Sequence, residues 1–265
     1  MNQDTPQTHR SLVADLRRLG LMPGRTVLVH SSLRSLGWVC GGSQAVVAAL
    51  QDVVGPEGTV VVPTQTSDNS DPAKWAHPPV PEHWWPIIRE EMPAFDPQRT
   101  PTRAMGAIAE QVRTSPGAVR SAHPQTSFAA IGARAREIVD THPLACALGP
   151  DSPLGTLERL DADVLLLGVG YDSCTAFHLA EYRQPAAPVE QYGAAVQDEA
   201  GERVWRTWTD VVLDEEDFER IGADFETTGA VCSGPVGDST SRLFPLRDAV
   251  AYGAAWMAEH RQPAR

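Results

Sequence analysis

Cysteine is scarce in this chain of 265 residues: Cys40, Cys146, Cys174 and Cys232 stand far apart. No C-x-x-C pair occurs, so neither a zinc site nor a disulfide framework is indicated, and most of the four are expected to be buried reduced thiols. Positive charge is also in short supply. Lys and Arg number 22 against 34 Asp and Glu, for a net charge of −12. Neutralising phosphates needs clustered cations, so this balance excludes nucleic acid as the expected partner. A cationic small molecule is better served by it, although acidity also simply aids solubility. Long apolar runs are missing as well. Nothing approaches a membrane span, and residues 1–10 are polar without a signal-peptide core, so a soluble cytoplasmic protein is expected.

What is present is ordinary globular material, 42% hydrophobic and 21% charged, and long enough for one substantial core. Helical spacing of Leu12, Val13, Leu16 and Leu19 predicts a helix over 8–19, with Gly20 placed to end it. β-Branched runs predict strands over 26–30 and 59–62, separated by a helix over 44–54. That α, β, α, β order implies parallel strands joined by crossovers. Residues 63–103 carry many prolines, three of the seven tryptophans and Asp68, Asp71 and Asp96. This predicts a long functional loop with a short helix near 86–91. Helices over 104–114, 134–141 and 153–160 and a short strand over 127–131 follow. Late in the chain, 193–197 and 203–213 alternate as antiparallel strands about a turn at 198–201. Helices over 215–227 and 245–260 flank a short strand at 242–244. No composition break marks a boundary, so a single α/β domain over 1–265 is expected, with a mixed sheet and a late antiparallel portion.

The stretch V-L-L-L-G-V-G-Y-D-S-C-T-A-F-H-L-A-E-Y, 164–182, concentrates the chemistry. An apolar strand, 164–169, runs into a turn at Gly168 and Gly170. Asp172 and Ser173 favour a helix N-cap, and a helix from about 175 to 183 puts His178 and Glu181 on one face. Such a pair is usually a solvated face or a tertiary hydrogen bond. A carboxylate beside an imidazole also fixes its tautomer and prepares it for proton transfer. Cys174, four residues before His178, allows a second chemistry: a thiol nucleophile for acyl transfer or amide hydrolysis.

Five blocks occur in order: V-H-S-S-L-R-S-L-G at 29–37, V-R-S-A-H-P-Q-T-S-F-A-A-I-G at 119–132, G-P-D-S-P-L-G at 149–155, the 165–182 stretch, and G-P-V-G-D-S-T-S-R-L-F at 234–244. Together they resemble the aminoglycoside 3-N-acetyltransferases over about residues 10–260. The resemblance implies a three-layer α/β/α fold, distinct from the Gcn5-related acetyltransferase fold. It also implies acetyl-coenzyme A as donor, an aminoglycoside amine as acceptor, no metal, and a monomer or homodimer. On block matching, His178 looks like the family's catalytic histidine, Glu181 its carboxylate partner and Thr175 a hydroxyl near the thioester. His30, Ser31, Ser32, Leu33 and Arg34, with Arg120, Ser121, His123 and Ser127, fall in blocks that line the cofactor side. Cys174 stands where the family often has Asn. Carboxylates suit a polycationic acceptor, and Asp68, Asp71, Asp172 and Glu226 are the candidates. Each also has a plainer role: N-cap for Asp172, surface charge for the others, turn capping for Ser31 and Ser32, a hydrogen-bonded strand end for His30, and a loop before Pro124 for His123. A homologue that binds antibiotic or coenzyme A without catalysis is the remaining alternative.

Overall fold

The β-branched runs do form strands, and their residues alternate between two cores. The computed structural model describes residues 5–76 and 78–261; the ends of the expected 1–265 domain, and residue 77 of the long loop, lie outside it. In chain order the elements are α1 (His9–Leu19), β1 (Thr26–Ser31), α2 (Gly42–Val54), β2 (Thr59–Pro63), α3 (Trp85–Glu91), α4 (Gly106–Arg113), β3 (Val119–Arg120), β4 (Phe128–Gly132) and α5 (Ala135–Val139). Then follow α6 (Pro153–Arg159), β5 (Asp163–Leu167), α7 (Ala176–Glu181), β6 (Val189–Gln197), β7 (Arg203–Val211), α8 (Phe218–Glu226), β8 (Cys232–Val236), β9 (Ser239–Pro245) and α9 (Leu246–His260).

The main sheet runs β3-β4-β2-β1-β5-β9-β8. β1 pairs in parallel with β2 on one side and β5 on the other. The flanks are antiparallel: β4 to β2, β3 to β4, β9 to β5 and β8 to β9. Val27, Val29, Val60, Val62, Leu165 and Leu167 face α1, α2 and α4. Leu28, Val61, Val164 and Leu166 face α5 to α9 on the opposite side. Strands buried on both faces need no polar alternation, which is why these three read as continuous apolar runs. A slip of one residue would exchange the two sets, so the register is fixed by burial of side chains worth about 1.5–3 kcal/mol each. The result is a three-layer α/β/α fold with a mixed sheet. β6 and β7 form the separate antiparallel hairpin expected late in the chain.

Several boundaries differ from the sequence expectation. The helix over 175–183 shrinks to Ala176–Glu181, preceded by a 3-10 turn at Tyr171–Ser173. Asp172 and Ser173 therefore sit inside that turn and cap no α-helix. The long loop carries 3-10 turns at Pro72–Lys74 and Glu82–Trp84 before α3. β3, two residues long, and β8, with Gly234 and Pro235 in it, lack a readable strand pattern. Among the described residues no helix is long and apolar enough to cross a membrane.

Candidate active site

In an open sheet with parallel strands, side chains converge beyond the carboxyl ends of the strands, where successive crossovers leave towards opposite faces. Here β1 leads to α2 on one face, while β5 leads to α7 on the other. Between their ends lies a cleft of about 310 Å³, lined by His30, Ser31, Gln65, Ala104, Met105, Asp172, Thr175, His178 and Glu215 among others. A larger hollow, about 780 Å³, lies under the long loop and is lined by Asp68, Asp96, Arg99 and Arg103, with neither His178 nor Thr175 in its wall. The narrower cleft is the candidate for chemistry because buried His30, Thr175 and His178 meet in its wall.

The turn after β5 is made by glycine. Gly168 has φ +71, a left-handed conformation that favours Gly. At Gly170 a Cβ would lie 2.1 Å from a Glu219 carboxylate oxygen, the same oxygen that accepts the Asp172 N–H at 3.1 Å. This close approach lets Glu219 anchor the turn that leads into α7. Thr175 occupies the N-cap position of α7 but makes no capping hydrogen bond. Its hydroxyl instead lies 3.3 Å from His30 Nε2.

His178 and Glu181 are both buried, on one face of α7, and the imidazole Nδ1 lies 2.8 Å from Glu181 Oε2. With Nδ1–H donating to the carboxylate, the neutral ring keeps its Nε2 lone pair free as a proton acceptor. Phe218 packs edge-on against the ring, centroids 4.7 Å apart, and restrains its tilt. The other carboxylate oxygen, Oε1, accepts the Asp214 N–H at 3.0 Å and Arg261 Nη1 at 2.8 Å. Burial, with a contribution from neighbouring His178, lowers the His30 pKa to about 3, so His30 stays neutral beside the dyad. Among the described residues no group of three or more His, Cys, Asp or Glu side chains is arranged to hold a metal ion.

The other sequence candidates are spread more widely. Of the cofactor-side set, His30 and Ser31 line the cleft, whereas Ser32, Leu33, Arg34, Arg120, Ser121, His123 and Ser127 do not. Ser32 accepts from Ser35 Oγ at 2.8 Å within the turn after β1. Arg120 donates to the Thr64 carbonyl at 2.6 Å and to Thr64 Oγ1 and Ser127 Oγ, and also reaches the Thr100 carbonyl. Its guanidinium staples the long loop to β2, and burial lowers its pKa to about 10. Ser121 Oγ accepts the Phe128 N–H and donates to His142 Nδ1, whose Nε2–H donates to the Ala147 carbonyl. His123 Nδ1 accepts the N–H groups of Gln125 and Thr126. These contacts brace the 142–148 segment and leave neither side chain facing the cleft.

Among the acidic candidates only Asp172 lines the cleft. Asp71 is held by Arg89 at 2.7 Å and caps the 3-10 turn through the Ala73 N–H. Asp68 pairs with Arg103 across 3.4 Å, and Glu226 pairs with Arg242. The cysteine reading meets a direct obstacle: Cys174 is fully buried, and desolvation pushes its thiol up to about 12, far from the thiolate a nucleophile needs. The sequence reading missed Gln65, Ala104, Met105 and Glu215. Ala104 and Gly106, both at positive φ, bring α4 against the end of β1, where a Cβ on Gly106 would meet the Ser31 carbonyl at 3.7 Å. Glu215 sits in an acidic run after β7, which composition alone marks as surface.

Comparison with known proteins matches this geometry to one family. The family model described as aminoglycoside 3-N-acetyltransferase matches residues 28–258. The SPbeta prophage-derived aminoglycoside N(3')-acetyltransferase-like protein YokD of Bacillus subtilis (strain 168) is 48% identical over 252 residues, covering 95% of this chain and 92% of that protein. The crystal structure of YokD superposes with a TM-score of 0.96, at 47% identity, over 97% of this chain and 96% of that one. AAC-IIIb, solved as a binary complex with CoASH, gives a TM-score of 0.86 at 31% identity over 98% and 100% of the two chains. AAC-VIa bound to sisomicin gives 0.87 at 35% identity over 97% and 100%. The chain therefore belongs to the aminoglycoside 3-N-acetyltransferase family, a family of acyltransferases.

Proposed function

We propose that this protein transfers an acetyl group from acetyl-coenzyme A to the 3-amino group of an aminoglycoside, with His178 as general base oriented by Glu181. The observation that carries the reading is the buried 2.8 Å contact between His178 Nδ1 and Glu181 Oε2 in the wall of the cleft. Relatives solved with CoASH and with sisomicin support the choice of donor and acceptor. Acetyl-coenzyme A supplies an activated thioester. An ammonium has no lone pair, so the acceptor amine must react in its neutral form. His178 Nε2 takes the proton released as the amine bonds to carbon, and Glu181 steadies the resulting imidazolium. The ring then returns the proton to the departing sulfur. The Thr175 hydroxyl serves as a donor to negative charge developing on the thioester oxygen. Asp172 and Glu215 bind the remaining ammonium groups of the acceptor, while His30 and Ser31 form the wall on the donor side.

Free-thiol release from acetyl-coenzyme A with sisomicin, measured for the wild type and for His178→Ala, tests the reading. Loss of the base should lower turnover by about 10²–10⁴ with little change in donor binding. A His178→Ala protein keeping more than about a third of wild-type turnover contradicts a rate factor of that size. Absence of acceptor-dependent thiol release by the wild type would favour a binding-only homologue.

A further inference from the structure

The carboxylate behind His178 is itself held, and the residue that holds it lies beyond the part of the chain the family model matches. Arg261 follows α9 directly, three positions past residue 258. Its Nη1 donates to Glu181 Oε1 at 2.8 Å, its Nη2 to the Asp214 carbonyl at 2.7 Å, and its Nε to Asp217 Oδ2 at 3.3 Å. The Asp214 N–H donates to the same Glu181 oxygen at 3.0 Å. One guanidinium thus ties α7, the segment before α8 and the end of α9 into a single hydrogen-bonded group.

We infer that Arg261 is a positioning residue for acetyl transfer, fixing which oxygen of Glu181 faces the imidazole. This rests on the reading of His178 and Glu181 as the base pair. The Glu181 side chain is only about 4% exposed, so it depends on protein donors. Arg261 and the Asp214 N–H occupy Oε1 and leave Oε2 for His178 Nδ1–H. Without the guanidinium, Oε1 keeps one donor, and the carboxylate is free to rotate and share that donor between its oxygens. The imidazole then loses its fixed tautomer and tilt. The Arg261 bond to the Asp214 carbonyl also holds the segment that carries Glu215 into the cleft, so proton acceptor and cleft carboxylate are steadied together. A hollow of about 560 Å³ is lined by Glu181, Gln184, Asp214, Asp217 and Arg261, without His178 in its wall.

The hollow makes a chemical test feasible, because a small cation can enter where the side chain is cut back. Thiol release with acetyl-coenzyme A and sisomicin should show Arg261→Ala lowering kcat about 10–100-fold, the usual cost of removing a partner that orients a working histidine, with KM for acetyl-coenzyme A nearly unchanged. Millimolar guanidinium chloride should restore part of that loss, and equal sodium chloride or urea should not. Arg261→Lys should fall between wild type and Arg261→Ala. On a His178→Ala background, Arg261→Ala should cost nothing further. Arg261→Gln, which removes the charge while keeping side-chain bulk, carries the kcat, KM and His178→Ala-background readouts, but not the guanidinium rescue, if Arg261→Ala fails to fold. Wild-type kcat in a folded Arg261 variant, a loss confined to KM, or an equal loss with and without His178 would each overturn the proposal. A fully active His178→Ala enzyme would instead remove the base reading beneath it, so the two failures are distinguishable.

Discussion

Glu181→Gln isolates orientation from bulk, and the donors around the carboxylate predict its outcome. Glu181 accepts three N–H groups: His178 Nδ1–H at Oε2, and Arg261 Nη1–H and the Asp214 N–H at Oε1. Glutamine has one accepting oxygen and one donating NH₂. If its oxygen faces His178, the NH₂ confronts two donors that cannot turn away, and each unsatisfied buried donor costs about 1–3 kcal/mol. If its oxygen faces Arg261 and Asp214, both keep their partner, and the NH₂ faces only His178. The imidazole can escape that conflict by moving its proton to Nε2. The second arrangement therefore wins by a few kcal/mol on the order of the one or two lost bonds, and it places N–H rather than a lone pair towards the cleft. Folding stability should drop little, while kcat should fall by about 10²–10⁴, the general-base factor, or about 3–5 kcal/mol in activation free energy. Steady-state thiol release at saturating acetyl-coenzyme A, paired with a melting curve, measures both. A Glu181→Gln protein with wild-type melting and kcat within about tenfold of wild type would refute the tautomer argument.

Three other outcomes follow from the same structure. His30, His123 and His142 are held neutral by burial, at about 3, 4 and 3, against 6.5 for the free group. The unfolded chain binds protons at these sites below pH 6.5 and the folded chain does not, so stability falls as pH drops from 6.5 towards 4. The slope from three such groups reaches about 4 kcal/mol per pH unit at most; denaturant titrations giving equal stability at pH 7 and pH 5 would sink this account. Cys174→Ala should keep turnover and lose on the order of 1 kcal/mol of stability for the small void, whereas a collapse of turnover with the fold intact would revive the thiol nucleophile. Raising salt should raise KM for sisomicin more than for a monoamine of similar size, because attraction to Asp172 and Glu215 is screened over about 8 Å at physiological ionic strength. A KM that stays flat with salt would leave the net charge of −12 to solubility.

The parts of the fold that were legible in the sequence are those fixed by local periodicity. β1, β2 and β5 announce themselves as short β-branched or leucine runs because both of their faces are covered. α1 shows its buried stripe of Leu12, Leu16 and Leu19, and its Gly20 end, at φ +113, is the left-handed cap the sequence suggests. β3 and β8 escape although each pairs with the strand that follows it, because β3 is only two residues long and β8 has no apolar alternation. β8 carries glycine and proline on the sheet edge, where position and not propensity decides. In the site, the i,i+3 contact of His178 and Glu181 is local and readable. Arg261 lies 80 residues from Glu181, and no spacing rule connects them. Arg120 illustrates the opposite error: a lone arginine in a serine-rich block looks like an anion ligand until its donors are found committed to backbone carbonyls.

The charge of the cleft sets up a conflict that the layout resolves. Carboxylates that attract an aminoglycoside also favour the ammonium form of its amines, and an ammonium cannot attack a thioester. Asp68, Asp71 and Glu226 do not add to the problem, since Arg103, Arg89 and Arg242 pair with them outside the cleft. The cleft carboxylates are Asp172 and Glu215, both exposed to solvent. His178 is buried beside them, with neutral His30 and the Thr175 hydroxyl as neighbours and Glu181 behind the ring. Non-reacting ammonium groups can therefore stay charged against Asp172 and Glu215 in water, where ion pairing costs little desolvation. In the proposed reaction the acceptor amine would leave that shell for a site whose proton acceptor is Nε2, where burial disfavours the charged amine. On the proposed mechanism, separating the exposed carboxylates from the buried imidazole would let one acidic cleft bind a polycation and still deprotonate one of its amines.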